Sequence, residues 1–121
     1  MSSQFSPALG PGPAYPAIFD EQSTLHFGGA AFPPPWTGQK VLWIVGPDYR
    51  GPLLIRGHQI GGKWWVGFDS LTSRPWSEMH LKGNGTWLGY PSYTRLREAG
   101  CYAYQVDGTT FSRVIAFRAA P

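Results

Sequence analysis

The sequence holds few residues whose type and spacing suit a chemical step. Residues 57–63 (GHQIGGK) fit the G-x-x-x-x-G-K spacing of a phosphate-binding loop. Such a loop needs a hydroxyl for Mg²⁺ directly after the lysine, and a helix whose N-terminus faces the phosphate. Trp64 stands at the hydroxyl position, and the residues after it have the pattern of a strand. The spacing therefore does not predict a nucleotide site.

Metal-binding and acid–base motifs are also missing from the sequence. His26, His58 and His80 are not paired with another ligand at i, i+2 or i, i+4, and no G-x-S-x-G elbow is present. Glu78 and Glu98 are isolated acids, which gives no reason to assign a carboxylate pair. We therefore expect no catalytic, metal or cofactor site, and we interpret the protein as non-catalytic.

Cys101 is the single cysteine, so an intrachain disulfide is excluded. We expect a half-buried thiol on a strand. An intermolecular disulfide is the alternative.

Aromatic residues are the unusual feature of the chain, which contains six Trp, six Tyr and seven Phe. Trp and Tyr are enriched at binding surfaces because each ring has an apolar face and a polar edge. The candidate aromatic binding surface comprises Trp36, Trp65, Trp76, Trp87, Tyr49 and Tyr90. These rings would stack on a sugar or anchor a protein partner. Alternatively, they cover the ends of the fold or a docked N-terminal arm.

Charge and hydropathy exclude two classes of partner. Ten Lys and Arg against seven Asp and Glu give a net charge of +3, but the cations are spread along the chain. A nucleic-acid site concentrates its cations on one stripe, so we expect no nucleic-acid binding. No apolar run approaches the roughly 20 residues that a membrane-spanning helix needs. We expect no direct membrane span.

The rest of the chain alternates short β-prone segments with Gly, Pro and Asp. This pattern predicts an all-β fold, an antiparallel β-sandwich of about seven to eight strands over residues 23–121. The candidate segments, of which the first is the weakest, are 24–27, 40–45, 53–60, 63–68, 78–82, 86–88, 92–96, 101–106 and 111–117. Adjacent residues of a strand point to opposite faces, so either Trp64 or Trp65 is expected in the core.

Residues 1–22 differ in composition, with four prolines and no period. Residues before proline favour extended geometry, which predicts a Pro/Gly-rich N-terminal arm or tether. Its aromatic residues would dock the arm onto the domain or onto a neighbouring molecule. The segment has neither a basic nor an apolar signal region. Such tethers often follow a removed signal or a lipid anchor, and we expect an extracytoplasmic protein, either secreted or anchored at the cell surface.

Residues 96–106 (LREAGCYAYQV) resemble the E–F corner and F strand of immunoglobulin-like domains, in which a Gly-x-Tyr-x-Cys pattern opens the strand. The resemblance implies that Tyr102 is a tyrosine corner whose hydroxyl bonds to the backbone a few residues upstream. Tyr104 would replace the disulfide cysteine. Residues 53–60 would form strand B, and Trp64 or Trp65 would be the buried tryptophan of strand C.

Residues 91–119 also resemble the C-terminal part of small exported bacterial proteins, often lipoproteins, of unassigned function. Together the two resemblances imply a non-catalytic, extracytoplasmic, immunoglobulin-like module for binding or assembly. Its partner would be another protein or a second copy of the chain. Two alternatives are a carbohydrate-binding module that uses exposed tryptophans, and a structural subunit whose residues 1–22 add to a neighbour's sheet edge.

Overall fold

A computed structural model describes residues 9–17, 22–28, 32–68 and 75–121, and these residues form an all-β fold. Nine strands are present in this part of the chain. They are β1 (Ala14–Ala17), β2 (Thr24–His26), β3 (Thr37–Val45), β4 (Arg50–Gln59), β5 (Gly67–Phe68), β6 (Met79–Asn84), β7 (Leu88–Leu96), β8 (Gly100–Asp107) and β9 (Ser112–Ala120).

The strands form two sheets, in a β-sandwich-like architecture. Sheet A has the order β1-β3-β7-β5, and sheet B has the order β2-β9-β8-β4-β6. Neighbouring strands are antiparallel except β2 and β9, which are parallel. The prediction of a mainly antiparallel all-β fold is confirmed. Within the described ranges, no helix is long and apolar enough to cross a membrane.

The hairpin of β8 and β9 is the element that the sequence predicts best. Alternate residues of β8, Tyr102, Tyr104 and Val106, are buried, as the alternating pattern requires. Asp107 ends the strand, and its Oδ1 accepts a hydrogen bond from Ser112 Oγ at 2.6 Å across the turn. The hairpin thus places one face of sheet B against the core.

The core between the sheets is built around Trp43 on β3. Its ring meets Tyr104 edge to face at 4.9 Å and is fully buried. The Tyr104 hydroxyl lies 2.6 Å from Thr94 Oγ1, and burial raises the pKa of Tyr104. The expectation that Trp64 or Trp65 lies in the core is wrong, because neither of these two side chains is buried.

The physical reason is the local backbone: residues 60–63 turn, and residues 64–66 pair only briefly with the end of β4, through the bridge between Trp65 and His58. Val66 is the residue that enters the core there, with no exposed surface. Trp64 is half-buried and Trp65 is 57% exposed. Neither ring is needed in the interior, since Trp43 already fills the space beside Tyr104.

Part of the segment predicted as an arm belongs to the sandwich. Ala14–Ala17 pairs with β3 as an edge strand of sheet A. Residues 1–8 and 18–21, which hold Phe5 and Phe19, lie outside the described residues.

The expectation of a half-buried Cys101 thiol is wrong. The thiol is exposed, because Cys101 lies on the solvent face of β8.

The bend between β7 and β8 is fixed by the hydrogen bond that the resemblance implies. The Tyr102 hydroxyl donates to the carbonyl oxygen of Glu98 at 2.7 Å, four residues upstream. The ring is fully buried and stacks on Phe117 at 5.8 Å. Tyr102 thus joins the bend to the core.

Tyr102→Phe is expected to lower the free energy of unfolding by about 1 kcal/mol, because the ring remains and only the hydrogen bond is lost. Urea denaturation followed by fluorescence measures the difference. Tyr93→Phe is the control, since its hydroxyl makes no hydrogen bond within the described residues. Equal stability of Tyr102→Phe and the wild type would show that the bond does not hold the bend.

Candidate functional site

The four tryptophans of the predicted surface, of which Trp36 is half-buried and the others are exposed, lie at two places on the fold. Trp36, Trp65 and Trp76 border one groove of about 430 Å³, together with Pro75 and Arg97. We call this the tryptophan groove. Trp87 lies at the opposite end of the nine-residue strand β7, beside Gly46. At about 3.3 Å per residue, the length of β7 separates Trp87 from the groove by roughly 25–30 Å.

Neither of the two predicted tyrosines borders the groove. Tyr49 is buried, donates a hydrogen bond to the carbonyl of Pro52 at 2.6 Å and accepts one from the Thr109 amide at 3.1 Å. Tyr90 is half-buried, and its hydroxyl donates to the carbonyl of Lys82 at 2.6 Å. Both rings therefore hold backbone segments in place and offer little surface to a ligand.

The groove is built on the shortest strand of sheet A. A Cβ atom at Gly67 of β5 would lie 2.7 Å from Pro75, so glycine is what lets the Pro75 ring lie over the strand, next to Trp36. Phe68 and Trp76 exchange both backbone hydrogen bonds, at 2.8 and 3.0 Å. This pairing fixes the Trp76 backbone, while its side chain is 63% exposed.

A cation–aromatic ladder forms one wall of the groove. Residues 32–36 lie over the outer face of β7 and bring Phe32 and Trp36 to Arg95 of that strand, and Trp36 to Arg97 just after it. The Arg95 guanidinium lies 5.0 Å from the Phe32 ring centre and 5.3 Å from that of Trp36. The Arg97 guanidinium lies 4.5 Å from Trp36 and 4.7 Å from Trp64. Lys63 ends the ladder, with Nζ 4.8 Å from Trp64.

The two arginines of the ladder have different environments. Arg95 has no exposed surface, and burial lowers its pKa. Arg97 is half-buried and reaches the groove. Among the described residues, no carboxylate lies within ion-pair distance of Arg97. The ring faces on either side attract the cation, but they carry no negative charge, so no carboxylate of the described residues neutralises Arg97.

Glu98 holds Trp64, the outermost ring of the ladder, by a hydrogen bond. Its Oε1 accepts a hydrogen bond from Trp64 Nε1, and its Oε2 accepts one from Gln59 Nε2, both at 3.0 Å. The bonds from Gln59 and Trp64 lower the pKa of Glu98, and the charge of Lys63 acts in the same direction. The carboxylate is thus engaged in orienting Trp64, which in turn fixes one side of Arg97.

Trp65 borders a second depression, on the solvent face of sheet B. This sheet-B hollow has a volume of about 220 Å³ and is lined by Arg56, His58, Trp65, Ala103, Gln105 and Val114. The Trp65 ring meets His58 edge to face at 4.8 Å. A third opening of about 370 Å³ joins Trp65 to Arg56, Ser77 and Glu78. Trp65 therefore stands between the tryptophan groove and the sheet-B hollow.

The polar side of the hollow is held by Asp107. Arg56 Nη2 and Gln105 Nε2 both lie 3.2 Å from its carboxylate. Hydrogen bonds from Ser112 and Gln105, and then the bond and charge of Arg56, lower the pKa of Asp107. Donors and acceptors are thus fixed beside an exposed indole ring.

Residues 57–59, the start of the phosphate-loop spacing, belong to β4, and residues 60–63 turn. Within the described part of the chain, no group of three His, Cys, Asp or Glu side chains is placed to hold a metal ion. Sequence reasoning missed Arg97 and Arg56. The signal for Arg97 is the alternation of Tyr93, Arg95 and Arg97, which starts on the outer face of β7 and continues one residue past its end at Leu96.

Comparison with known proteins identified no relative of this chain. No family model matches the chain, and no curated protein or solved structure was found to match it. The function is therefore inferred from the groove and its surroundings.

Proposed function

We propose that the protein is a non-catalytic, immunoglobulin-like binding module that holds its ligand in the tryptophan groove. The strand orders support the immunoglobulin-like assignment. In sheet A, β1, β3 and β7 would correspond to strands A, B and E, and the series β9, β8, β4 and β6 would correspond to G, F, C and C′. Strand β5 has no counterpart in this assignment, because it precedes β6 in the chain whereas strand D follows C′. The tyrosine corner then lies on strand F, as it does in that family.

On this assignment, strand B is β3 and not residues 53–60, which belong to strand C as part of β4. The buried tryptophan also moves from strand C to strand B, because Trp43 lies on β3.

The observation that carries the binding function is the convergence of three tryptophans from separate segments on one groove. Trp65 and Trp76 are 57% and 63% exposed, although the core has buried Trp43 completely. Large rings left in water at one place are typical of a binding site, since their burial by a ligand releases free energy. The ordered wall of the groove reduces the entropy cost of binding.

Assembly through residues 1–22 has less support. Ala14–Ala17 already pairs with β3 of its own chain, which argues against this stretch as a strand donated to a neighbour. The extracytoplasmic location stays a prediction, and cell fractionation of the native organism tests it.

The binding function predicts that ligand retention depends on Trp65 and Trp76. The experiment offers the wild type a panel of immobilised polysaccharides and a display library of peptides, including proline-rich ones. Any ligand that the wild type retains should lose about tenfold or more in affinity with Trp65→Ala or Trp76→Ala. Trp87→Ala is the matched control, because Trp87 is 52% exposed but lies at the other end of the fold. Equal losses in all three variants, or in none, would contradict the proposed site.

A further inference from the structure

The shape of the site points to an extended ligand. The tryptophan groove and the sheet-B hollow, about 430 and 220 Å³, share Trp65 as a common wall. Pockets for compact drug-sized ligands span roughly 300–1,000 Å³ and enclose most of the molecule. Both depressions here are open, so a ligand that contacts both must pass over or beside the Trp65 ring. A chain of repeating units meets that requirement.

The chemistry around Trp65 suits sugar rings. The face of an indole carries negative charge density, which attracts the polarised C–H groups on the face of a pyranose ring. Arg56, Gln105 and Glu78 lie close by and offer fixed, planar donors and acceptors. Such groups can bind two adjacent hydroxyls at once. Arg56 and Gln105 are already held by Asp107, and Glu78 lies 3.5 Å from His80.

The charge of the groove adds a second requirement. Arg97 is held between the rings of Trp36 and Trp64, and the described residues supply no carboxylate to pair with it. A guanidinium with fixed orientation forms two parallel hydrogen bonds with a carboxylate. A ligand that carries carboxylates therefore fits the groove better than a neutral one. The net charge of +3 acts in the same direction.

An extended peptide added as a strand fits less well. Backbone groups along the groove already bond within the chain: Phe68 and Trp76 pair in both directions, and Val66 donates to the carbonyl of Gly57 at 3.0 Å. Strand addition needs a row of open donors and acceptors. These bonds leave recognition to side chains.

From these observations we propose that the ligand is an acidic polysaccharide, with sugar rings on both sides of Trp65 and a carboxylate paired with Arg97. This inference rests on the proposed binding function and specifies its ligand class. It distinguishes the site from a general apolar patch, because it assigns separate roles to the indole ring and to the guanidinium.

The test titrates the wild type with polygalacturonate and with its fully methyl-esterified form, which has the same chain without the charge. We expect the esterified chain to bind about tenfold more weakly, as the loss of one charge-assisted pair implies. Arg97→Gln should bind the two forms alike, and Trp65→Ala should weaken both. Arg97→Lys keeps the charge but not the paired hydrogen bonds, and it serves if Arg97→Gln does not fold. Its preference for the acidic chain should be smaller than that of the wild type.

The other possible outcomes would contradict either the acidic-ligand inference alone or the proposed binding function as well. Equal binding of both forms by the wild type, or an unchanged preference in Arg97→Gln, would overturn the acidic-ligand inference and leave the binding function standing. Trp65-dependent binding of a peptide in place of any polysaccharide would do the same. Acidic-chain binding that survives Trp65→Ala unchanged would overturn both proposals. Absence of binding to polygalacturonate and to alginate, another polyuronate, would overturn the inference alone.

Discussion

Replacing Trp43 with alanine is expected to lower the free energy of unfolding by about 3–5 kcal/mol, the range for a large aromatic ring removed from a packed core. Trp43 is fully buried and meets Tyr104 at 4.9 Å, so the substitution leaves a cavity between the two sheets. Urea denaturation, monitored by far-UV circular dichroism, measures the loss.

Two variants sharpen that result. Trp43→Phe should lose much less, since it keeps an aromatic ring beside Tyr104 and removes an indole N–H that has no hydrogen-bond partner in the described structure. Trp87→Ala, at an exposed position, should change the free energy by less than about 1 kcal/mol. A loss in Trp43→Ala as small as that in Trp87→Ala would mean that Trp43 does not fill the core.

Replacing Trp36 with alanine is expected to lower both the stability and the ligand affinity. The Trp36 ring lies between Arg95 and Arg97, at 5.3 and 4.5 Å, and it also lines the tryptophan groove. Removing the ring takes away one of the two aromatic rings that cover the buried Arg95. We therefore expect a loss of about 2–3 kcal/mol in the free energy of unfolding. Arg97 would lose one of its two ring contacts, and with it the fixed orientation on which the proposed carboxylate pairing depends.

Trp76→Ala separates the two effects of that substitution. Trp76 lines the same groove but takes no part in the cation–aromatic ladder among the described contacts. It should therefore lose affinity with little change in stability. Denaturation and ligand titration are measured on both variants side by side. A Trp76→Ala variant as unstable as Trp36→Ala would show that the groove wall, and not the ladder, carries the stability.

The elements that local sequence determines are the ones that were predicted well. The alternation in residues 101–106 and 111–117 reappears as β8 and β9, and Met79 and Leu81 share the buried face of β6. In each case the period of two reports directly which face is buried. The tyrosine corner at Tyr102 was equally accessible, because its hydrogen bond spans only four residues.

The core tryptophan could not be predicted from local pattern. Trp64 and Trp65 stand in a segment as β-prone as the one around Trp43, and the sequence gives each a comparable chance of burial. The choice depends on distant pairings, since β3 lies in the interior of sheet A, whereas residues 60–63 turn and Trp65 makes only an isolated bridge with β4. Tertiary contacts outweigh β-propensity at such positions.

In the candidate site, too, the residue types could be predicted from the sequence, but their arrangement could not. Exposed aromatic rings were predicted as the binding surface, but only the fold brings Trp36, Trp65 and Trp76 to one groove and leaves Trp87 at the other end. The role of Arg97 needs the coverage of β7 by residues 32–36, a contact that no spacing in the sequence indicates. Segment 69–74 lies outside the described residues and contributes nothing to this argument.

The central claim, that the tryptophan groove binds an acidic polysaccharide, is tested most directly by the indole N–H signals of the six tryptophans in a ¹⁵N-correlated NMR spectrum. Titration with oligogalacturonate should shift the signals of Trp65 and Trp76 and leave those of Trp43 and Trp87 in place. A shift confined to Trp87, or a spectrum in which Trp65 and Trp76 do not move at saturating ligand, would contradict the claim.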